Sequence, residues 1–250
     1  MKIVVVGGTG LIGSKVSARL AEQDVTLVVA SRATGVNSFT GEGLEAALEG
    51  ADTVIDTTNS SYTDYAGAKE FFYGSTLNLL TYGAAAGVSH HVALSVVGTE
   101  RLARSEGGYF AAKLEQERLI RTSGRPFSIV HGTQFFEFLL SIADSATQRG
   151  VVRVAKALVQ PMAADDVAAA LLQVASGRPT GTISEFAGPE RFRLDSVVRT
   201  RLWRHDDARQ VVADPLATYF GTDLAEDELL PGDDATLMPT RFDDWIRNVS

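Results

Sequence analysis

The sequence predicts an α/β fold in which a doubly wound parallel sheet is completed by a small C-terminal lobe. Three observations predict it. Short continuous apolar runs recur along the chain, amphipathic helical stretches separate them, and a glycine-rich turn, Gly7-Gly8-Thr9-Gly10-Leu11-Ile12-Gly13, directly follows the first run. Such runs suit strands buried on both faces of a parallel sheet, and strand–helix alternation is the mark of that architecture. With 250 residues, 45% of them hydrophobic, the chain can bury one large core, which suits one domain rather than two.

Ile3 to Val6 is the first strand, closed by the glycines. From there Leu11, Ile12, Val16, Leu20 and Ala21 recur at helical spacing, with Lys15, Arg19 and Glu22 facing away, until Asp24 interrupts. Val25 to Ala30 gives the second strand, Val36 to Phe39 a short third, Glu42 to Glu49 a helix, and Thr53 to Asp56 the fourth strand. A longer helix over 66–86 leads to Gly87, and His91 to Val97 reads as a buried strand ending at Gly98. A helix from Tyr109 to Ser123 stops at Gly124, and Pro126 introduces the sixth strand, Phe127 to His131.

After Gly132 the pattern loosens. It reads as a helix over 135–148, an extended stretch over 151–159, and an Ala-rich helix that Asp165-Asp166 would cap. Ile183 to Ala187 is a late strand, and the acidic, Pro/Gly-punctuated segment 214–239 is more loop than core. The expected organisation is a nucleotide-binding core over 1–132 and a substrate-covering lobe over 133–250 that completes the same domain.

A formal charge of -8 with no run of Lys or Arg argues against a nucleic-acid partner. The absence of cysteine excludes disulfides, thiolate metal sites and cysteine nucleophiles, and is compatible with a reducing cytoplasm. The apolar residues before the glycines are too few for a signal peptide or a membrane span, so the expectation is a soluble cytoplasmic protein without a membrane partner. His90, His91, His131 and His205 form no metal-ligand pattern with nearby acids. Nothing indicates an oligomeric state.

Glycine at 7, 10 and 13 answers three needs: a sharp turn from strand to helix, a close backbone approach to a pyrophosphate, and close packing of the helix on the sheet. The phosphates would sit on the unpaired N–H groups of the following helix. The expected fold is therefore Rossmann-type and its ligand a dinucleotide. A site for NAD usually carries an acid at the end of the second strand, where this chain reads Ala30-Ser31-Arg32. A guanidinium beside a hydroxyl suits the 2'-phosphate, which favours NADP(H) over NAD(H). The alternative is that Arg32 is an ordinary solvated residue.

Ser95 lies late in its strand, and Tyr109 and Lys113 share one face at the start of the next helix. The three can converge outside the carboxyl ends of the strands. A phenol of pKa about 10 becomes a better acid/base when an ammonium stabilises its phenolate. Lys113 is expected to supply that charge while holding the nicotinamide ribose. Ser95 would hold a substrate carbonyl, and Tyr109 would deliver a proton alongside hydride transfer. The alternative makes Tyr109 a packing aromatic and Lys113 a solvated neighbour. Tyr65 and Lys69 repeat the spacing but precede the Ser95 strand, so they read as a chance match on a helix surface. Phe135, Phe136 and Phe138 suit either an aromatic substrate pocket or the packing of one helix, and Trp203 and Trp245 read as packing residues.

With these residues in this order, the chain resembles the short-chain dehydrogenase/reductase superfamily. Asp52-Thr53-Val54-Ile55-Asp56, Asn78-Leu79-Leu80, Ala93-Leu94-Ser95-Val96-Val97-Gly98 and Thr133-Gln134-Phe135-Phe136 look like its atypical, NmrA-like NAD(P)H-binding branch. So does Gln160-Pro161-Met162 before Asp165-Asp166-Val167. The resemblance implies that Gly7, Thr9, Gly10, Leu11, Ile12 and Gly13 contact the pyrophosphate, that Ser31 and Arg32 face the adenosine phosphate, and that Asn37 lies near the adenine. Thr57, Thr58 and Asn59 would line the ribose and nicotinamide side together with Ser95 and Lys113, and Gln134 and Phe135 would lie beside the nicotinamide or substrate. One position departs from the pattern: Phe72 stands where many relatives place an Asn that completes a proton relay. The implied activity is NADP(H)-dependent oxidation or reduction of a small carbonyl, quinone or conjugated substrate. The branch also includes NADP(H)-binding redox sensors without turnover, and sugar-nucleotide relatives perform epimerase or lyase chemistry with the cofactor retained.

Overall fold

Ile3, Val4, Val5 and Val6 are all buried in a computed structural model that describes residues 1–62, 64–104 and 108–249. Their strand, β1 (Lys2–Val6), is covered on both faces, as its continuous apolar run requires. The first half continues with α1 (Leu11–Ala21), β2 (Thr26–Ala30), α2 (Leu44–Leu48), β3 (Thr53–Asp56), α3 (Tyr65–Ala85), β4 (His90–Val96), α4 (Thr99–Leu102), α5 (Tyr109–Thr122) and β5 (Phe127–Gly132). Ile3 and Val5 pack with Ile12, Val16 and Leu20 of α1, while Val4 and Val6 pack with Leu44 and Leu48 of α2 and Leu79 of α3. One face of the sheet thus carries α1 and the other α2 and α3, which is the doubly wound arrangement.

The second half adds α6 (Leu139–Ser145), β6 (Thr147–Gln148), β7 (Val151–Ala155), β8 (Leu158–Val159), α7 (Ala164–Ala175), β9 (Ile183–Ala187), β10 (Phe192–Arg193), α8 (Leu194–Arg204), β11 (Gln210–Asp214), β12 (Thr236–Leu237) and α9 (Phe242–Arg247). The central sheet has seven parallel strands in the order β12-β9-β5-β4-β3-β1-β2. Two strands from beyond residue 133 therefore complete the sheet, and α7 packs against α1 in one buried cluster. The remaining strands form two small sheets, β11-β7-β6 and β10-β8, beside the central one.

Several expectations give way. Val36 to Phe39 forms no strand. The Thr34 hydroxyl donates to the Val29 carbonyl (2.8 Å), the Asn37 side-chain oxygen accepts from the Phe39 amide (3.1 Å), and Gly35, Gly41 and Gly43 take positive φ. These side-chain bonds turn the backbone back on itself before it can pair. The helix expected over 135–148 is broken into a single 3-10 turn at Phe136–Phe138, α6, and the short β6. Asp165 and Asp166 do not cap α7. Glu137 does, accepting from the Ala164 amide at 3.0 Å, while Asp165 pairs with Lys15 of α1 and Asp166 receives the Thr240 amide and hydroxyl. Trp245 is buried, but Trp203 is 71% exposed and is not a core residue. No described helix is long and apolar enough to cross a membrane.

Candidate functional site

The strand order reverses between β1 and β3, since β2 lies outside β1 while the chain then crosses to β3 on its other side. Ligands of open α/β sheets bind where such a reversal parts the loops beyond the carboxyl ends. A cavity of about 850 Å³ opens there. Gly7, Thr9, Gly10, Leu11, Ile12, Ser31, Arg32, Asn37, Thr57, Thr58, Asn59, Ser95, Tyr109, Lys113 and Phe135 all line it. Of the residues expected at the site, Gly13 and Gln134 do not reach its wall. Gln134 is buried beside Tyr219, and Gly13 acts through packing.

The glycine turn is closed tightly. Gly7 sits at φ +75°, and a side chain at Gly13 would lie 2.2 Å from the Gly7 carbonyl oxygen and 2.7 Å from the Gly8 Cα. Gly8, to which the sequence pattern gave no role, is equally confined, since its Cβ would meet Val29 and the Val5 carbonyl at 2.8 Å. Helix α1 begins at Gly10 with no side-chain cap. The N–H groups of Leu11 and Ile12 have no acceptor within the helix and belong to residues of the cavity wall, so the cradle fits a pyrophosphate. At the far end Arg32 is exposed on the rim and forms no ion pair among the described residues. Asn37 spends its carbonyl on the turn and keeps its amide N–H₂ for the cavity.

Around the reaction end the hydroxyls are more constrained than the spacing suggested. The Tyr109 hydroxyl donates to Asn59 Oδ1 (2.8 Å), and Asn59 Nδ2 donates to the Tyr62 oxygen (2.8 Å). The Tyr62 and Tyr109 rings pack at a tilt of 40° with centroids 4.5 Å apart. Burial, reinforced by the neighbouring phenols of Tyr62 and Tyr219, holds the Tyr109 hydroxyl well above its ordinary value. The expected lowering by Lys113 is not found. The Lys113 ammonium is engaged beneath the site, donating to the Leu94 carbonyl (2.7 Å) and to Gln116 Oε1 (2.5 Å), 4.7 Å above the Phe72 ring. Burial pushes it down to about 8, with Asp56 and Glu117 opposing. Gln116 donates onward to Asp56 Oδ2 at 3.0 Å. Phe72 is fully buried and meets the Tyr109 ring edge-on.

Ser95 was expected to donate to a substrate carbonyl. In this structure that proton points to Glu117, Oγ donating to Oε1 at 2.5 Å, so the hydroxyl must turn to reach a substrate. Glu117 escaped the sequence reading, as did Tyr62, Asp56 and Gln116. A signal existed for Glu117, which continues the face of Tyr109 and Lys113 one further helical turn along. Phe135 and Phe138 line the cavity, whereas Phe136 is buried against Phe242 and Trp245. Tyr65 lines a second cavity of about 230 Å³ that shares Tyr62 with the first, and Lys69 is exposed. Among the described residues no cluster of His, Asp and Glu could hold a metal ion.

A family model described as NAD(P)H-binding matches residues 7–177. Over 163 residues the chain is 31% identical to (4-alkanoyl-5-oxo-2,5-dihydrofuran-3-yl)methyl phosphate reductase of Streptomyces griseus, a match covering 60% of this chain and 54% of the relative. The chain thus spans about half the length of that curated relative. Among solved structures it is similar to the UDP-Glc/GlcNAc 4-epimerase of Campylobacter jejuni, with a TM-score of 0.72, 13% identity, and coverage of 98% of this chain and 96% of the epimerase. It is also similar to the NADPH-dependent quinone oxidoreductase of Escherichia coli complexed with NADPH, with a TM-score of 0.66, 21% identity, and coverage of 86% and 78%. At these identities the structural likeness concerns the fold.

Proposed function

The chain belongs to the NAD(P)H-binding family, and from that premise we propose that it is a cytoplasmic NADP(H)-dependent oxidoreductase of the NmrA-like branch, acting on a small carbonyl, quinone or conjugated substrate. The observation that carries this reading is that the Ser95 and Tyr109 hydroxyls share one cavity with the glycine turn and with Arg32. Arg32, without a competing carboxylate, suits a 2'-phosphate through charge-assisted bonds. Bound NADPH supplies a hydride to the substrate. Tyr109 keeps its proton at neutral pH and, exchanging Asn59 Oδ1 for the substrate, donates a hydrogen bond to the oxygen on which charge develops, a task that a high proton affinity does not hinder. Lys113 stays largely protonated at neutral pH and holds the cavity floor positive. Phe135 and Phe138, from the chain beyond residue 133, give the substrate side flat apolar walls. The reductase and quinone oxidoreductase among the similar proteins support the reaction class.

The test is NADPH oxidation by wild type and Tyr109→Phe with phenanthrenequinone and a panel of small carbonyls. Wild type should turn over, and the variant should lose roughly 10²- to 10³-fold in kcat/KM with NADPH affinity intact. Full turnover in the variant overturns the role of Tyr109. Phe72 favours a second reading, an NADP(H)-responsive binding protein without turnover. Tight NADPH binding with no oxidation by the panel, together with NADPH-dependent association with a protein partner, would establish that reading instead. Net NADPH consumption separates both the enzyme and its direction from an epimerase or lyase that returns its hydride.

A further inference from the structure

Ser95, His131 and Glu185 are register partners on the adjacent strands β4, β5 and β9, Ser95 opposite His131 and His131 opposite Glu185. Register partners in parallel strands project from the same face of the sheet. That face lies beneath α5, and Glu117 sets its carboxylate between two of them. Its Oε1 accepts from Ser95 Oγ at 2.5 Å and pairs with His131 Nε2 at 2.9 Å. The other ring nitrogen, Nδ1, lies 3.9 Å from Glu185 Oε1. Glu185 Oε2 accepts from the amide of exposed Gly232 at 2.7 Å. The Glu117 and His131 side chains are 4% and 7% exposed, whereas that of Glu185 is 25% exposed. The row of four thus begins in the cavity wall and ends at partly exposed Glu185, with His131 Nδ1 holding no hydrogen bond between them.

The surrounding charges fit a protonated imidazole between two carboxylates. Burial opposes charge on His131, but the bonds and charges of Glu117 and then Glu185 outweigh it and raise its proton affinity. Burial likewise opposes charge on Glu117, and His131, Ser95 and Lys113 outweigh it. Arg101 of α4 faces Glu185 while donating to the carbonyls of Glu228 and Leu230. The Thr99 hydroxyl lies 3.4 Å from Ser95, and Asp56 faces Lys113 and His91. A purely structural ion cluster buried this deeply costs desolvation that an apolar cluster would not.

We propose that Ser95, Glu117, His131 and Glu185 form a proton conduit that carries a proton from solvent beside Glu185 to the substrate oxygen in the cavity. The proposal rests on the oxidoreductase reading. In reduction, the substrate carbonyl carbon gains a hydride, with its two electrons, from bound NADPH, which becomes NADP⁺. The carbonyl π pair moves to oxygen, and that oxygen takes the Ser95 Oγ proton. Glu117 Oε1 takes the Nε2 proton of His131 and passes it to Ser95, which leaves His131 neutral with its remaining proton on Nδ1, and the freed nitrogen is reloaded from water through Glu185 once the ring turns to present it. One hydride and one proton are consumed, and Tyr109 ends with the proton it began with.

The experiment pairs kinetics with a titration. With NADPH and phenanthrenequinone, His131→Ala should lose roughly 10²-fold in kcat at unchanged NADPH affinity, and added imidazole, entering the vacated space, should restore part of it. Glu117→Gln, nearly isosteric, should lose kcat without rescue. Wild-type kcat in Glu117→Gln, or loss in folded His131→Ala that imidazole leaves untouched, overturns the conduit. The second measurement follows the His131 ring by NMR across pH in the cofactor-free protein. Its midpoint should stand above that of an ordinary histidine and fall in both Glu117→Gln and Glu185→Gln, and an unmoved midpoint in either overturns the conduit. Wild type that binds NADPH but never oxidises it overturns the oxidoreductase reading and the conduit with it, whereas wild-type turnover that His131→Ala and Glu117→Gln leave unchanged overturns the conduit alone.

Discussion

Replacing Lys113 by Met tests the electrostatics of the site without any substrate. Lys113 is 2% exposed, and burial lowers its proton affinity from 10.5 to about 8. Below the lower value the folded and unfolded chains both hold the proton, and between the two values only the unfolded chain does. The unfolded state therefore binds more protons in that window, and wild-type stability rises with pH across it. Each unit is 1.36 kcal/mol, so wild type should gain about 3 kcal/mol relative to Lys113→Met between pH 7 and pH 10.5. Urea unfolding of both proteins at several pH values measures the gain. The subtraction removes the other titrating groups, including the buried tyrosines, which both proteins share. A difference that stays flat over this range would show that Lys113 does not enter the folded protein as a buried ammonium, and the charge assigned to the cavity floor would go with it.

Arg32→Ala should weaken NADPH by roughly ten- to a hundredfold, the worth of a charge-assisted bond of about 1.5–3 kcal/mol, while leaving NADH binding nearly unchanged; equal losses by fluorescence titration would remove the 2'-phosphate assignment. Gly13→Ala places a carbon 2.2 Å from the Gly7 carbonyl oxygen, so the turn must shift. NADPH binding should be lost and the Tm lowered in calorimetry, and wild-type affinity in this variant would refute the tight closure of the cradle.

The first half of the fold was legible because strands buried on both faces must be continuously apolar, and few other structures in a chain this size impose that. Val36 to Phe39 meets the same criterion only in part, and the Thr34 and Asn37 side chains satisfied the local backbone by turning it instead. The second half was obscure for a different reason. Strands β7 and β11 pair in register from Val151 with Gln210 to Ala155 with Asp214, and neither carries a local mark of a partner so far along the chain. The helices α8 and α9 were missed because their first turns are opened by no Ser, Thr, Asn or Asp cap, only by Arg193 and Arg241.

At the site, position was legible and chemistry was not. Ser95, Tyr109 and Lys113 stand on regular elements, so period and connection place them at one cavity. What decides their proton affinities comes from elsewhere: Tyr62 from the loop after β3, Tyr219 from the C-terminal segment, and depth of burial for Lys113. The sequence does contain the trace of Glu117, His131 and Glu185, but as exceptions to the pattern used to find strands. A parallel strand buried on both faces has no local reason to carry an imidazole or a carboxylate. His131 in Phe127–Gly132 and Glu185 in Ile183–Ala187 each stand one or two residues before the carboxyl end of their strand, the level at which Ser95 stands in its own. Equal depth in adjacent strands of one sheet means lateral contact. Three polar residues at that depth, with a fourth on the helix face above them, therefore specify a polar row running across the sheet from the cavity to the partly exposed Glu185 of β9, and it is the direction of that row, out to solvent, that gives it something to conduct.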